Sequence, residues 1–273
     1  MSTAVVTIAH GRHDHLRLQQ RSLATADRPD AWVLVAMDDP DLVDWPAYDG
    51  LRPHVLALDA DPAGLPLARA RNAGAEAALA LGADVLVFLD VDCVAAPGLS
   101  AAYARAVRDE PGTVWSGPVT YLPPPGPEGY ALASLPGVDA PHPARPAPRP
   151  GERTPNPHPD LFWSLSFALS ARAWSRSGGF HEGYVGYGAE DTDFARLLLG
   201  EGLALGWLGA ARAFHQWHPT ESPPRRHLDD ILRNGALFAA RWGSWPMGGW
   251  LTSFEREGLV RRTADGGWAR ATR

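Results

Sequence analysis

The sequence predicts an α/β domain, a sheet with helices packed on it and a proline-rich loop inserted late in the chain. Three observations carry that prediction. Strand-like apolar runs alternate with helical segments through residues 4–109, in the manner of a parallel sheet. One run, residues 84–89, is β-branched and aromatic and stops abruptly at a carboxylate, the pattern of a fully buried strand. The third is size and composition: 273 residues with 45% hydrophobic and 21% charged side chains suffice for one large core and are unlike a disordered or collagenous chain.

Ala4-Val5-Val6-Thr7-Ile8 reads as a buried strand that turns through His10-Gly11-Arg12 into a helix over 14–26, with Asp14 as its N-cap. Residues 31–36 form a second strand running into Asp38-Asp39, and residues 54–58 a short third. Alanine-rich residues 67–81 form a helix, because alanine loses least on entering one. The strand over 84–89 is followed by a helix over 96–109. Further on, residues 162–169 read as a strand, 171–177 as a short helix, 190–201 as a helix closed by Gly202, and 203–208 as a strand. Residues 226–242 form a helix with Leu228, Ile231, Leu232, Leu237 and Phe238 on one side.

Fourteen of the 26 prolines fall between Pro118 and Pro159. Proline fixes φ and removes a backbone donor, so this segment is expected to be an extended surface loop rather than helix or central strand. The expected organisation is one main domain over 1–242, with 123–159 as its proline-rich loop, and an extension over 243–273 packed on the same domain. Four of the 11 tryptophans, Trp242, Trp245, Trp250 and Trp268, lie at this C-terminal end. Core packing, a groove on which a ligand stacks, a membrane contact and a homodimer interface all stay open for them.

Composition excludes several classes. A lone Cys93 rules out an internal disulfide framework, and no apolar run reaches the roughly eighteen residues of a membrane span. Residues 1–10 lack a basic start followed by a long apolar stretch, so a cytoplasmic location is expected. Net charge is −6, which argues against a nucleic-acid partner. All 25 basic residues are arginine, so neither a Schiff-base lysine nor a P-loop lysine exists.

Three acidic or imidazole clusters permit chemistry. Asp90-Val91-Asp92 follows the buried strand, and ligands bind beyond the carboxyl ends of strands in open α/β sheets. Residues two apart on a strand face one side, so both carboxylates can converge on a hard cation; a plain turn rich in aspartate is the alternative. In Gly186-Tyr187-Gly188-Ala189-Glu190-Asp191-Thr192-Asp193, glycines let the backbone approach a ligand while carboxylates open a helix. There the alternative is that Glu190, Asp191 and Asp193 only complement the helix dipole. Phe214-His215-Gln216-Trp217-His218-Pro219 offers imidazoles suited to manganese or zinc, although paired surface histidines also occur without a metal.

Taken in order, the strand leading to His10-Gly11-Arg12, Asp38-Asp39, Ala70-Arg71-Asn72-Ala73-Gly74, Asp90-Val91-Asp92, Gly178-Gly179-Phe180, Glu190-Asp191 and His215 resemble the family 2 glycosyltransferases of GT-A fold. The Gly-Tyr-Gly-x-Glu-Asp-x-Asp stretch is similar to the acceptor-side motif of β-1,4-galactosyltransferases and chondroitin-type polymerases. The resemblance implies a mixed sheet flanked by helices and transfer of a sugar, as by a hexosyltransferase, from a nucleotide-sugar donor to a carbohydrate or small-molecule acceptor. It implies that Asp38 and Asp39 meet the base, most often uracil, in a pocket lined by Ala9, His10 and Arg12. Arg71 would lie against base or diphosphate, and Asp90, with Val91, against the ribose or the metal's water. Asp92 and His215 would bind a divalent cation, Mn2+ or Mg2+, with His218 ranked behind His215. Asp191 would be the general base, Glu190 would hold the acceptor hydroxyl, and Tyr187-Gly188 would support the transferred sugar.

Departures bear on specificity. His10-Gly11 and Pro40-Asp41 replace residues common after the first loop and the acidic pair, and Tyr187-Gly188-Ala189 stands where Trp-Gly-Gly is common. Two rivals are a sugar-phosphate nucleotidyltransferase, which would carry a basic glycine-rich loop after its first strand, and a non-catalytic nucleotide-sugar-binding module of the same fold.

Overall fold

The computed structural model describes residues 1–26 and 28–271. In chain order the first half runs β1 (Thr3–Ala9), α1 (His13–Ala26), β2 (Ala31–Met37), β3 (His54–Leu58), α2 (Leu67–Ala80), β4 (Val85–Leu89), β5 (Cys93–Ala95), α3 (Leu99–Asp109), β6 (Thr113–Ser116) and β7 (Val119–Tyr121). The second half runs β8 (Arg153–Pro155), β9 (Ser166–Ser170), α4 (Ala171–Ser177), α5 (Glu190–Gly200), β10 (Ala204–Leu208), β11 (Ala213–His215), α6 (Leu228–Trp242), α7 (Gly248–Arg256), β12 (Val260–Arg262) and β13 (Trp268–Arg270).

Eight strands form one mixed sheet in the order β3-β2-β1-β4-β9-β6-β10-β8. The first four are parallel, β9 runs antiparallel between β4 and β6, and β8 closes the far edge antiparallel to β10. Both faces are covered, as the apolar runs of β1 and β4 require. Side chains alternate across a strand, so Ala4, Val6 and Ile8 of β1 join Leu86 and Phe88 of β4 and Ala68 and Ala75 of α2 in one core. Val5 and Ala9 join Leu16 and Leu23 of α1 and Leu99 and Tyr103 of α3 in the other. An aromatic block fills the first core, where Phe88 and Phe167 stack at 4.5 Å and Phe180 and Phe194 at 4.0 Å.

Several expected boundaries move for identifiable reasons. The helix over 96–109 begins at Leu99, because Gly98 takes a φ of 81° and residues 93–95 pair into a second sheet, β5-β11-β7. The first helix starts at His13, which puts Asp14 in its first turn rather than at the cap. The strand expected over 162–169 is confined to Ser166–Ser170, since residues 159–161 form a 3-10 turn and Phe162 is buried among the aromatics. α6 starts at Leu228, after a 3-10 turn over Arg225–His227. The proline-rich segment also contains short strands: β7 lies within it, and β8 pairs at a sheet edge, where proline's missing donor does no harm.

Residues 248–270 pack on α6 as well. Leu251 and Phe254 of α7, Val260 of β12 and Trp268 of β13 pack with Leu228 and Ile231 of α6. Arg270 donates twice to Asp229, at 2.7 and 2.8 Å. No helix among the described residues is long and apolar enough to cross a membrane.

Candidate active site

The small sheet builds half of the site. Its register sets His215 opposite Cys93 on one side and Tyr121 on the other, and Gln216 N donates to Asp92 O at 2.7 Å. Asp92 is thereby held beside two histidines, its Oδ2 3.4 Å from His215 Nε2 and 3.6 Å from His218 Nε2. The three ligand atoms lie within 4.8 Å of one another. Two atoms each about 2.1 Å from one ion stand about 3.4 Å apart at a tetrahedral angle, so one carboxylate with two imidazoles fits a divalent cation. Burial works to raise Asp92, but the imidazoles and the charge of Arg12 outweigh it and hold the carboxyl well below the usual range. Tyr121 stacks on His215 at 4.4 Å and fixes its ring plane. His218, ranked behind His215 by the resemblance, stands almost as close to Asp92.

Asp90 does not converge with Asp92. Cys93 N donates to Asp90 O at 2.8 Å and closes a turn over Asp90-Val91-Asp92, so strand alternation no longer applies. Asp90 instead meets Arg71, whose guanidinium lies 3.2 Å from its Oδ1 and 3.4 Å from Glu190 Oε1. At 4% exposure Arg71 is an internal cation between two carboxylates, not a surface ligand. Burial raises Asp90 while Arg71 opposes the rise.

The turn after β1 builds the side toward β2. Gly11 and Arg12 take φ of 59° and 54°, the left-handed region that a non-glycine residue enters at a cost, before α1 begins. Asp39 Oδ2 accepts from Gly11 N at 2.7 Å and lies 2.9 Å from His13 Nε2, while Asp41 N donates to Oδ1 at 3.2 Å. Burial alone would raise Asp39; the His13 contact and the Gly11 N–H outweigh it and lower it. His10 Nδ1 lies 2.8 Å from Met37 O, Ala9 is buried, and Asp38 is exposed with a φ of 46°. His13 carried no signal in the sequence, because only the folded turn brings it to Asp39.

The loop before α5 is gripped from α6. Asn234 Nδ2 lies 3.0–3.2 Å from the carbonyl oxygens of Val185, Tyr187 and Gly188, and Asp230 Oδ2 accepts from Tyr187 N at 3.2 Å. Gly186 has no room for a Cβ, which would come within 2.5 Å of Asp230. Ala189, where the resemblance has glycine, still adopts φ 77°. The Tyr187 ring stacks on His227 at 4.5 Å and on Trp250 at 5.8 Å, so the turn before α6 and helix α7 wall this side.

The three carboxylates in the first turn of α5 have different surroundings. Glu190 meets Arg71. Among the described residues no arginine or histidine forms an ion pair with Asp191; burial first, then the neighbouring Glu190 charge, push it up to about 7, and Arg71 opposes the rise only in part. Asp193 is 0% exposed and accepts from Tyr184 Oη, Arg241 Nε and Trp242 Nε1 at 2.9, 2.7 and 2.6 Å. It ties α5 to α6. Asp193→Ala is expected to destabilise the fold by about 3–5 kcal/mol, because it leaves the buried Tyr184 hydroxyl and the part-buried Arg241 and Trp242 donors without their acceptor, and urea denaturation measures this.

The sequence also gave no warning of Arg145. This arginine of the proline-rich segment is 7% exposed, lies 4.7 Å from the Trp207 ring and 5.2 Å from Trp163, and has no hydrogen-bond partner for its side-chain nitrogens among the described residues. Burial lowers it to about 10. Trp163, His142 and Tyr121 continue from it as a row of rings to His215, at spacings of 5.2, 5.0 and 4.4 Å.

No protein-family model matches the chain, and no curated protein sequence does. Solved structures do. GalNAc-T7 with UDP, GalNAc and Mn2+ superposes with a TM-score of 0.57 at 15% identity, over 88% of this chain and 50% of that one. TarS 1-349 of S. aureus in complex with UDP-GlcNAc superposes with a TM-score of 0.56 at 15% identity, over 88% of this chain and 67% of that one. The chain therefore has the fold of the GT-A glycosyltransferases. It spans half the length of the GalNAc-T7 chain.

Proposed function

We propose that this chain is a metal-dependent glycosyltransferase of the family 2 type. It moves a sugar from a nucleotide-diphosphate sugar, with UDP as the nucleotide, to an acceptor hydroxyl with inversion. One observation supports the proposal most: Arg71 bridges Asp90, two residues before Asp92, to Glu190, the neighbour of Asp191, and so holds the turn that carries the metal cluster's carboxylate against the start of the helix that carries Asp191.

Asp92, His215 and His218 would hold a divalent cation, manganese or magnesium, which would supply positive charge against the departing diphosphate. Asp39, held by Gly11 N–H and His13, presents its carboxylate to the base beside Asp38, His10 and Ala9. Arg71 holds Asp90 toward the ribose, next to Val91. Tyr187-Gly188 faces the transferred sugar, and its backbone is kept in place by Asn234. Glu190 turns one oxygen to Arg71 and offers the other to the acceptor hydroxyl. Asp191 takes the hydroxyl proton as the new bond forms, and a base titrating near 7 is well matched to that task at neutral pH. The Gly-Tyr-Gly-x-Glu-Asp-x-Asp stretch supports an acceptor side like that of β-1,4-galactosyltransferases.

Asp191 acts when ionised, so the transfer rate is expected to rise about tenfold per unit below pH 7 and to level off above it. A pH profile of kcat measures this, and a flat profile from pH 5 to 8 removes Asp191 as the base. Incubation with manganese and a panel of UDP-, GDP- and dTDP-sugars tests the function itself. Released nucleoside diphosphate supports the transferase, released pyrophosphate the nucleotidyltransferase, and binding without turnover the non-catalytic module.

A further inference from the structure

The oxygen that faces the two histidines already has a cation on it. Arg12 Nη1 donates to Asp92 Oδ2 at 2.9 Å, nearer than either histidine nitrogen. Among the described residues Asp92 is the one ion-pair partner of Arg12. The backbone of Arg12 is anchored, since its carbonyl accepts from Leu16 N at 3.0 Å, whereas the side chain is 36% exposed and can turn away. A divalent ion and a guanidinium on one carboxylate oxygen would bring like charges within a few ångström in a site where water screens little.

We propose that Arg12 is an exchangeable counter-ion for Asp92. It keeps the carboxylate aimed before metal loading, leaves it when the divalent cation arrives, and then meets the diphosphate of the donor. This rests on the assignment of Asp92, His215 and His218 as metal ligands. Two consequences follow from the charges. Arg12 competes with metal that binds alone, and it favours metal that arrives with a nucleoside diphosphate, because the displaced guanidinium gains an anion suited to its fork. Metal and nucleotide binding are therefore positively coupled through this side chain, reciprocally.

Manganese titrations followed by electron paramagnetic resonance, on wild type and Arg12→Met, each with and without UDP, test the exchange. Without UDP, Arg12→Met is expected to bind manganese about tenfold more tightly than wild type. UDP should tighten manganese about tenfold in wild type and less than about threefold in the variant. Arg12→Lys, which keeps the charge, should stay nearer wild type, and Arg12→Gln replaces Arg12→Met if the latter lacks a native circular dichroism spectrum. Equal or weaker manganese affinity in the neutral variants without UDP overturns the exchange, and an undiminished UDP effect overturns the move to the diphosphate. If wild type fails to bind manganese even with UDP, the metal assignment itself fails, a result separate from either.

Discussion

Asp191→Asn is expected to cut sugar transfer by about 10²- to 10⁴-fold while manganese and UDP affinities stay within about twofold, because the amide keeps the shape of the carboxyl and cannot accept the proton. Kinetics with a labelled donor, alongside calorimetry, measure both halves. Turnover at the wild-type rate would remove Asp191 from the mechanism. The same variant carries a second, independent signature. Burial and the Glu190 charge raise Asp191 to about 7, so its ionised form costs stability in the folded state. A raised carboxyl supports the fold at low pH, and that support fades as pH rises from about 4 through 7. Asn carries no such penalty. Asp191→Asn should therefore be more stable than wild type at pH 8, by at most about 4 kcal/mol and less for a partly solvated side chain, with the gap closing toward pH 4. A residue serving only as a helix cap would show the opposite sign, since its charge would favour the helix N-terminus.

Asp92→Ala is expected to weaken manganese by at least about a hundredfold, with metal-dependent donor binding lost in parallel, because changes even to the partners of metal ligands cost 10- to 100-fold. The variant removes the oxygen shared by Arg12, His215 and His218. It should still fold, since Arg12 is 36% exposed and recovers its solvation in water. Calorimetric titration of manganese in the presence of UDP is the measurement, and normal affinity there would sink the metal assignment. Asp90→Ala should behave differently. Its carboxylate faces Arg71 rather than the histidines, so the metal affinity should largely survive while buried Arg71 loses a partner.

Much of the fold is legible in local patterns. The nearly unbroken apolar run of β1 announces a strand with two covered faces, and the apolar positions of α3, from Leu99 through Val107, recur at helical spacing. The end of α5 at a Gly202 with φ 69° follows from the chemistry of glycine. The short strands β5 and β7 escaped, because three residues carry no periodicity of their own and their strand partner is β11, far along the chain. The clusters that carry the chemistry could likewise be named one by one from the sequence, since each is a contiguous run of residues whose functional groups are fixed by identity.

Their partnerships are another matter. Asp90 and Asp92, two residues apart, part company because a single turn points one at Arg71 and the other at His215 and His218. Glu190, Asp191 and Asp193, within four residues, become an ion-pair partner, a carboxyl raised toward neutrality and a buried tie to α6. The chain alone settled which groups are present, that arginine must supply every fixed side-chain cation in the absence of lysine, and where most of the longer strands and helices form, because those follow from residue identity and short-range periodicity. Folding settled which carboxylate meets which cation, because charge pairing, desolvation and ligand geometry depend on distances between residues tens to hundreds of positions apart, which no local pattern encodes.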